Sequence, residues 1–286
     1  MTEHKNWITT GAGVQMPRMI YGTAWKKERT ADLVERAVKA GFRGIDTACQ
    51  PKHYEESLVG AALQKLADQG IPRGDLYVQT KFTPLSGQDP NRVPYDKRGT
   101  LALQVAQSFT MSKTNLRTDY VDGLILHSPL ASAKQTAQVW CAMEEIYRTG
   151  GARQLGISNC YDIGVLNDLY DIATVKPAIV QNRFYRDTQY DVELRQWCAS
   201  HGVIYQSFWT LSANPHILAS ATLRAIADHH QKTEAQILFR YLTHCGIVPL
   251  TGTCSEQHMK EDLDVFDFEL AAHERDDLGA LIGRGA

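Results

Sequence analysis

The chain has 286 residues, 43% of them hydrophobic and 22% charged, with a formal net charge of −2. These are globular proportions that can bury a core without disulfides or metal, and the absence of any Lys/Arg run excludes nucleic acid or an anionic membrane as an electrostatically expected partner. The six cysteines, at 49, 141, 160, 198, 245 and 254, form no Cys-x-x-Cys pair, and no 18 apolar residues run together; reduced thiols, a soluble chain and a cytoplasmic location are therefore expected.

The first element is a short hairpin, "WITTGAGVQMP", with Gly11 and Gly13 at its turn. After it, strand-like and helix-like segments alternate to the end of the chain. The strands are read at 19–23, 43–47, 76–81, 121–127, 152–158, 177–182, 202–208 and 245–250. Between them lie helical patterns such as "TADLVERAVKAG", where Leu33, Val34, Ala37 and Val38 share one face and Gly41 supplies the C-cap. Repetition of helix, glycine and strand gives parallel strands joined by right-handed crossovers, and eight such units close into a (β/α)₈ barrel. The fold class is thus α/β, a single TIM barrel over 1–286 with a short N-terminal β-hairpin. An open doubly wound sheet would carry Gly-x-Gly-x-x-Gly after its first strand; "GAGVQM" ends instead in Met16 and precedes no helix.

Barrel chemistry gathers at the C-terminal ends of the strands. There the sequence places Asp46, Lys81, His127, Ser158 with Asn159, and Gln181, with Tyr54 shortly after Asp46. Singly, Asp46 reads as a helix N-cap, Lys81 as an exposed strand end and His127 as a backbone-bonded structural histidine. Jointly, on adjacent strands after apolar runs, they read as a site.

The chain resembles the aldo-keto reductase family in "GFRGIDTA", the Glu56 to Gly60 helix start, "VQTKF", "DYVDGLILHSP", "QLGISNC", "PAIVQNRFY" and "KEDLDVFDFEL", in that order. The resemblance implies reduction of a small carbonyl substrate with a nicotinamide coenzyme, with catalytic Tyr54, Lys81, Asp46 and His127 and no metal. A phenol beside an ammonium can both hold a developing oxyanion and protonate it, so Lys81 is expected to lower the Tyr54 pKa and Asp46 to orient Lys81. Strict family register, counted back from Glu56 and Gly60, instead puts His53 at the tyrosine position. Tyr54 is favoured because a cation tunes a phenol and neutralises an imidazole, but both candidates stay open.

The resemblance also implies coenzyme contacts from Asp46, Ser158, Asn159, Gln181, Phe208, Leu211, Thr251, Thr253, His258 and Asp262. Leu250 and His258 stand where the family carries lysine and arginine for a 2′-phosphate. NADP(H) is still expected to be preferred, with NAD(H) as the alternative. Trp25, Phe82, Trp209 and His53 are expected around the substrate pocket, left open by a short C-terminal segment. The rival function is an NADP(H)-binding sensor or subunit of weak activity on the same barrel. Oligomeric state is not legible.

Overall fold

A computed structural model describes residues 6–282; the expectations for 1–5 and 283–286 lie outside the described residues. Trp7–Thr9 (β1) and Gln15–Pro17 (β2) pair antiparallel with Trp7 opposite Pro17. Gly13 between them sits at φ 76°, where a side chain would be strained.

The barrel strands are Ile20–Gly22 (β3), Gly44–Asp46 (β4), Tyr77–Phe82 (β5), Gly123–Leu126 (β6), Leu155–Ser158 (β7), Ile179–Arg183 (β8), Ile204–Phe208 (β9) and Val248–Thr251 (β10). They close in the order β10-β3-β4-β5-β6-β7-β8-β9, and every pairing around the ring is parallel. The expected (β/α)₈ barrel is present. Three strands run past their predicted ends, to Phe82, Arg183 and Thr251, because pairing with the neighbouring strand continues through each of these residues.

One apolar shell lies between strands and helices and includes Leu33, Val34, Ala37 and Val38, the face predicted for helix Thr30–Ala40. A second fills the barrel and its N-terminal end, where Met16 of the hairpin packs with Ile20, Tyr77, Ile125, Ile179 and Val248. The hairpin plugs one mouth of the barrel. Gly60 shows how tightly the outer ring packs: a Cβ there would lie 1.9 Å from the Asn115 carbonyl oxygen, so helices Glu56–Asp68 and Leu101–Leu116 meet with no room for a methyl group.

Candidate active site

At the open mouth a cleft of about 1220 Å³ runs from Asp46 and Tyr54 to Thr253 and His258. Its floor is set by the two-residue period of a strand, which turns alternate side chains into the barrel. On β5, Gln79 and Lys81 face inward and Phe82 faces out. The Lys81 ammonium, 1% exposed, lies 2.6 Å from each Asp46 carboxylate oxygen and 2.9 Å from the Thr47 carbonyl oxygen. Asp46 Oδ1 also accepts from Gln79 Nε2 at 2.7 Å and Gln181 Nε2 at 3.0 Å, and both amides donate to Gln206 Oε1. The pair is therefore fully hydrogen-bonded, the condition under which a buried ion pair is tolerated. Gln79 and Gln206 went unnamed in the sequence reading, although each sits on the inward face two residues before Lys81 and Phe208.

Phe82 corrects an expectation. It is buried on the helix side against Tyr95, at 5.7 Å between ring centres, and does not line the cleft.

The two ring candidates separate clearly. The Tyr54 ring centre lies 5.2 Å from Lys81 Nζ and 6.1 Å from the His127 ring. His53 turns to the mouth, 3.9 Å from the half-exposed Trp25 ring, and its carbonyl accepts from Trp25 N–H at 2.7 Å. The loop carrying both is pinned by Gln50 Nε2 to the Gly87 carbonyl and by Gln88 Nε2 to the Cys49 carbonyl. Lys81 does not depress the Tyr54 pKa in the free protein. Burial, reinforced by the Asp46 charge, pushes the phenol well above its ordinary value, and the three ammonium donors are spent on Asp46 and Thr47. Burial also lowers the Lys81 pKa, against the pull of Asp46.

His127 follows β6, and its Nδ1 lies 2.7 Å from Thr83 Oγ1. Burial, then Lys81 and His53, hold its pKa well below the usual imidazole value, so the ring is neutral. Thr83 also lines the cleft and was missed, since it stands beyond the lysine that ended the predicted strand.

The coenzyme candidates Asp46, Ser158, Asn159, Gln181, Phe208, Leu211, Thr251, Thr253, His258 and Asp262 all line the same cleft, as do Trp25, His53 and Trp209. Ser158 Oγ donates to the Gln181 carbonyl at 2.7 Å, and Asn159, at φ 52°, donates through Nδ2 to the His127 carbonyl at 2.8 Å. Asp262 accepts from Thr251 Oγ1 at 2.7 Å, and burial raises its pKa to about 6. Ser255 caps helix Glu256–Leu263 by accepting from His258 N–H.

Two cations that the sequence did not point to, Lys26 and Arg224, also line the cleft. Lys26 donates to the Gly252 carbonyl. Arg224 comes from helix Ala221–His230, remote in sequence from Leu250 and His258, and lies 3.9 Å from Glu234. The C-terminal helix Ala272–Leu281 packs against helix Ala221–His230 and leaves the mouth uncovered, with Trp25 56% and Trp209 47% exposed.

Comparison with known proteins bears on the family and the fold. The chain is 30% identical to the glyoxal reductase of Bacillus subtilis (strain 168), with 98% of this chain and 94% of that protein covered. It is 31% identical to deoxymugineic acid synthase 1 of Oryza sativa subsp. japonica, covering 95% and 88%. The crystal structure of an aldo/keto reductase from Brucella melitensis superposes with a TM-score of 0.81 at 27% identity, over 96% of this chain and 98% of that one. The profile of the Aldo/keto reductase family matches residues 18–282, nearly the whole barrel, and the chain belongs to that family of oxidoreductases.

Proposed function

We propose that this protein reduces aldehydes and ketones to alcohols with a nicotinamide dinucleotide, preferring NADP(H) to NAD(H). The observation that carries this reading is the buried Lys81–Asp46 pair beneath Tyr54, with neutral His127 across the cleft. The glyoxal reductase relative points to small aldehydes as the first substrates to try.

The lining suits a dinucleotide. Ser158, Asn159 and Gln181 would hold a carboxamide, Phe208 offers an aromatic face to a flat ring, and Lys26, Arg224, Thr253 and His258 would meet phosphate charge. The bound coenzyme would supply the hydride. As negative charge gathers on the carbonyl oxygen, the Tyr54 phenol gives up its proton there. An alkoxide is a stronger base than a phenolate, so the proton passes to the product oxygen, and the raised value keeps it on Tyr54 until then. Lys81 then stabilises the phenolate left behind. Thr83 Oγ1 lies 2.7 Å from His127 Nδ1; in the tautomer where Thr83 donates to Nδ1, the opposite ring nitrogen carries a hydrogen and would donate to the carbonyl oxygen.

The test is NADPH oxidation, followed by absorbance, against a panel of small aldehydes, ketones and sugars, for the wild type and Tyr54→Phe. Turnover that disappears in the variant supports the proposal. NADPH binding without turnover on any carbonyl overturns it in favour of a sensor.

A further inference from the structure

Arg183 ends β8, two residues beyond Gln181. Strand alternation returns its side chain to the inward face one layer above Gln181, while Asn182 between them turns outward to the Cys160 carbonyl and Asp191. Arg183 pairs in register with Phe208 of β9, and Phe208 and the following Trp209 line the cleft. The guanidinium carbon sits 4.4 Å from the Trp209 ring centre and 4.5 Å from that of Tyr185.

The cation is left with no anion. Its Nε is buried without a hydrogen-bond partner, and among the described residues the guanidinium forms no ion pair. Asp191 is already taken, accepting from Asn182 Nδ2 and Tyr205 O–H at 2.8 Å each. Two aromatic faces hold the guanidinium by cation–π contact, yet they satisfy none of its in-plane N–H donors, which match a carboxylate or phosphate edge. Arg183 does not itself line the cleft but stacks on Trp209, which does, and an arginine kept in this way beside the cleft is preorganised for an anionic ligand group.

We infer that Arg183, held against Tyr185 and Trp209, forms a subsite for an anionic group carried by the carbonyl substrate, so that aldehydes bearing a carboxylate are the favoured class. The inference rests on the proposed carbonyl reduction and concerns which carbonyls are chosen. Phosphate oxygens present the same edge, but a coenzyme phosphate would draw on Arg183 equally for every substrate, and this distinguishes the two sources.

The experiment compares 4-carboxybenzaldehyde with 4-methylbenzaldehyde, matched in size, in the wild type, Arg183→Gln and Arg183→Lys. In the wild type the carboxylated aldehyde should have the larger kcat/KM by about tenfold or more, the scale of a charge-assisted hydrogen bond. Arg183→Gln should erase that ratio through KM, leaving kcat, the 4-methylbenzaldehyde kinetics and the NADPH Kd within about twofold. Arg183→Lys should restore part of the ratio, and added salt should shrink it. A wild-type ratio near one, an equal loss for both aldehydes, or a weakened NADPH Kd in Arg183→Gln overturns the inference. Calorimetric titration of both aldehydes into the NADP⁺-loaded protein reads the same subsite without turnover. If neither aldehyde oxidises NADPH, the proposed activity fails, while the two Kd values still decide for or against Arg183.

Discussion

Lys81 Nζ lies 2.6 Å from both carboxylate oxygens of Asp46, in a pair 1% and 4% exposed on its two side chains. Removing either partner leaves a charge buried without its counter-ion, at a cost of about 3–5 kcal/mol. Lys81→Met and Asp46→Asn should each lower Tm and kcat together. A variant of normal Tm and normal kcat would show that the pair serves neither stability nor turnover.

Tyr54 and His53 are separable by kinetics. Tyr54→Phe removes the proposed proton donor and should lower kcat about 10²–10⁴-fold, the usual range for general acid catalysis. His53→Ala removes only the ring beside Trp25 at 3.9 Å and should act mainly through KM. Steady-state rates of the two variants with one aldehyde assign the role, and a reversed pattern moves it to His53.

The pH profile follows from two displaced groups. The His127 pKa is held well below its ordinary value and the Tyr54 pKa well above. Through the range where a free histidine titrates, near pH 6.5, kcat at saturating coenzyme should stay flat, and it should fall only in strongly alkaline solution as the phenol loses its proton. An inflection near pH 6.5 that Tyr54→Phe leaves in place would contradict the neutral His127.

Asp262 gives a stability test of definite sign. Its folded-state pKa is raised from 3.8 to about 6, chiefly by burial. The folded protein therefore holds this proton more tightly than the unfolded chain, and stability is lost as pH rises from the unfolded to the folded value. Asp262→Asn can still accept from Thr251 Oγ1, so its Tm should match the wild type near pH 4 and exceed it above pH 6. A shift of about two units bounds the gain at about 3 kcal/mol. Equal Tm values at pH 7.5 would show that the carboxylate carries no burial cost.

Arg224 is the coenzyme test. If it meets the extra phosphate of NADPH, Arg224→Ala should raise the NADPH KM several-fold, as loss of an exposed charge contact worth up to about 1 kcal/mol predicts, and leave the NADH KM unchanged. Equal effects on both coenzymes would place Arg224 elsewhere in binding.

The fold was legible in the sequence because a barrel repeats one local instruction. Leu33, Val34, Ala37 and Val38 spell a buried helical face, Gly41 its end, and each apolar run a strand, all from neighbours in the chain. The strand-end polar residues were legible for the same reason: Asp46, Lys81, His127 and Gln181 interrupt apolar runs where period and length end them. What the sequence left undecided depends on direction and on distant partners. Whether His53 or Tyr54 faces Lys81 is set by a loop pinned through Gln50 to Gly87 and through Trp25 to His53, contacts no register count contains. Phe82 turned out of the cleft because pairing carried β5 one residue past Lys81 and alternation sent it to the helix side. Arg224 reached the cleft, and Arg183 came to lie against Trp209, only when remote segments closed the ring. Local periodicity determined the elements and their order; the charge on each site group, and the ring that stands beside it, were decided by burial and packing, which exist only in the folded barrel.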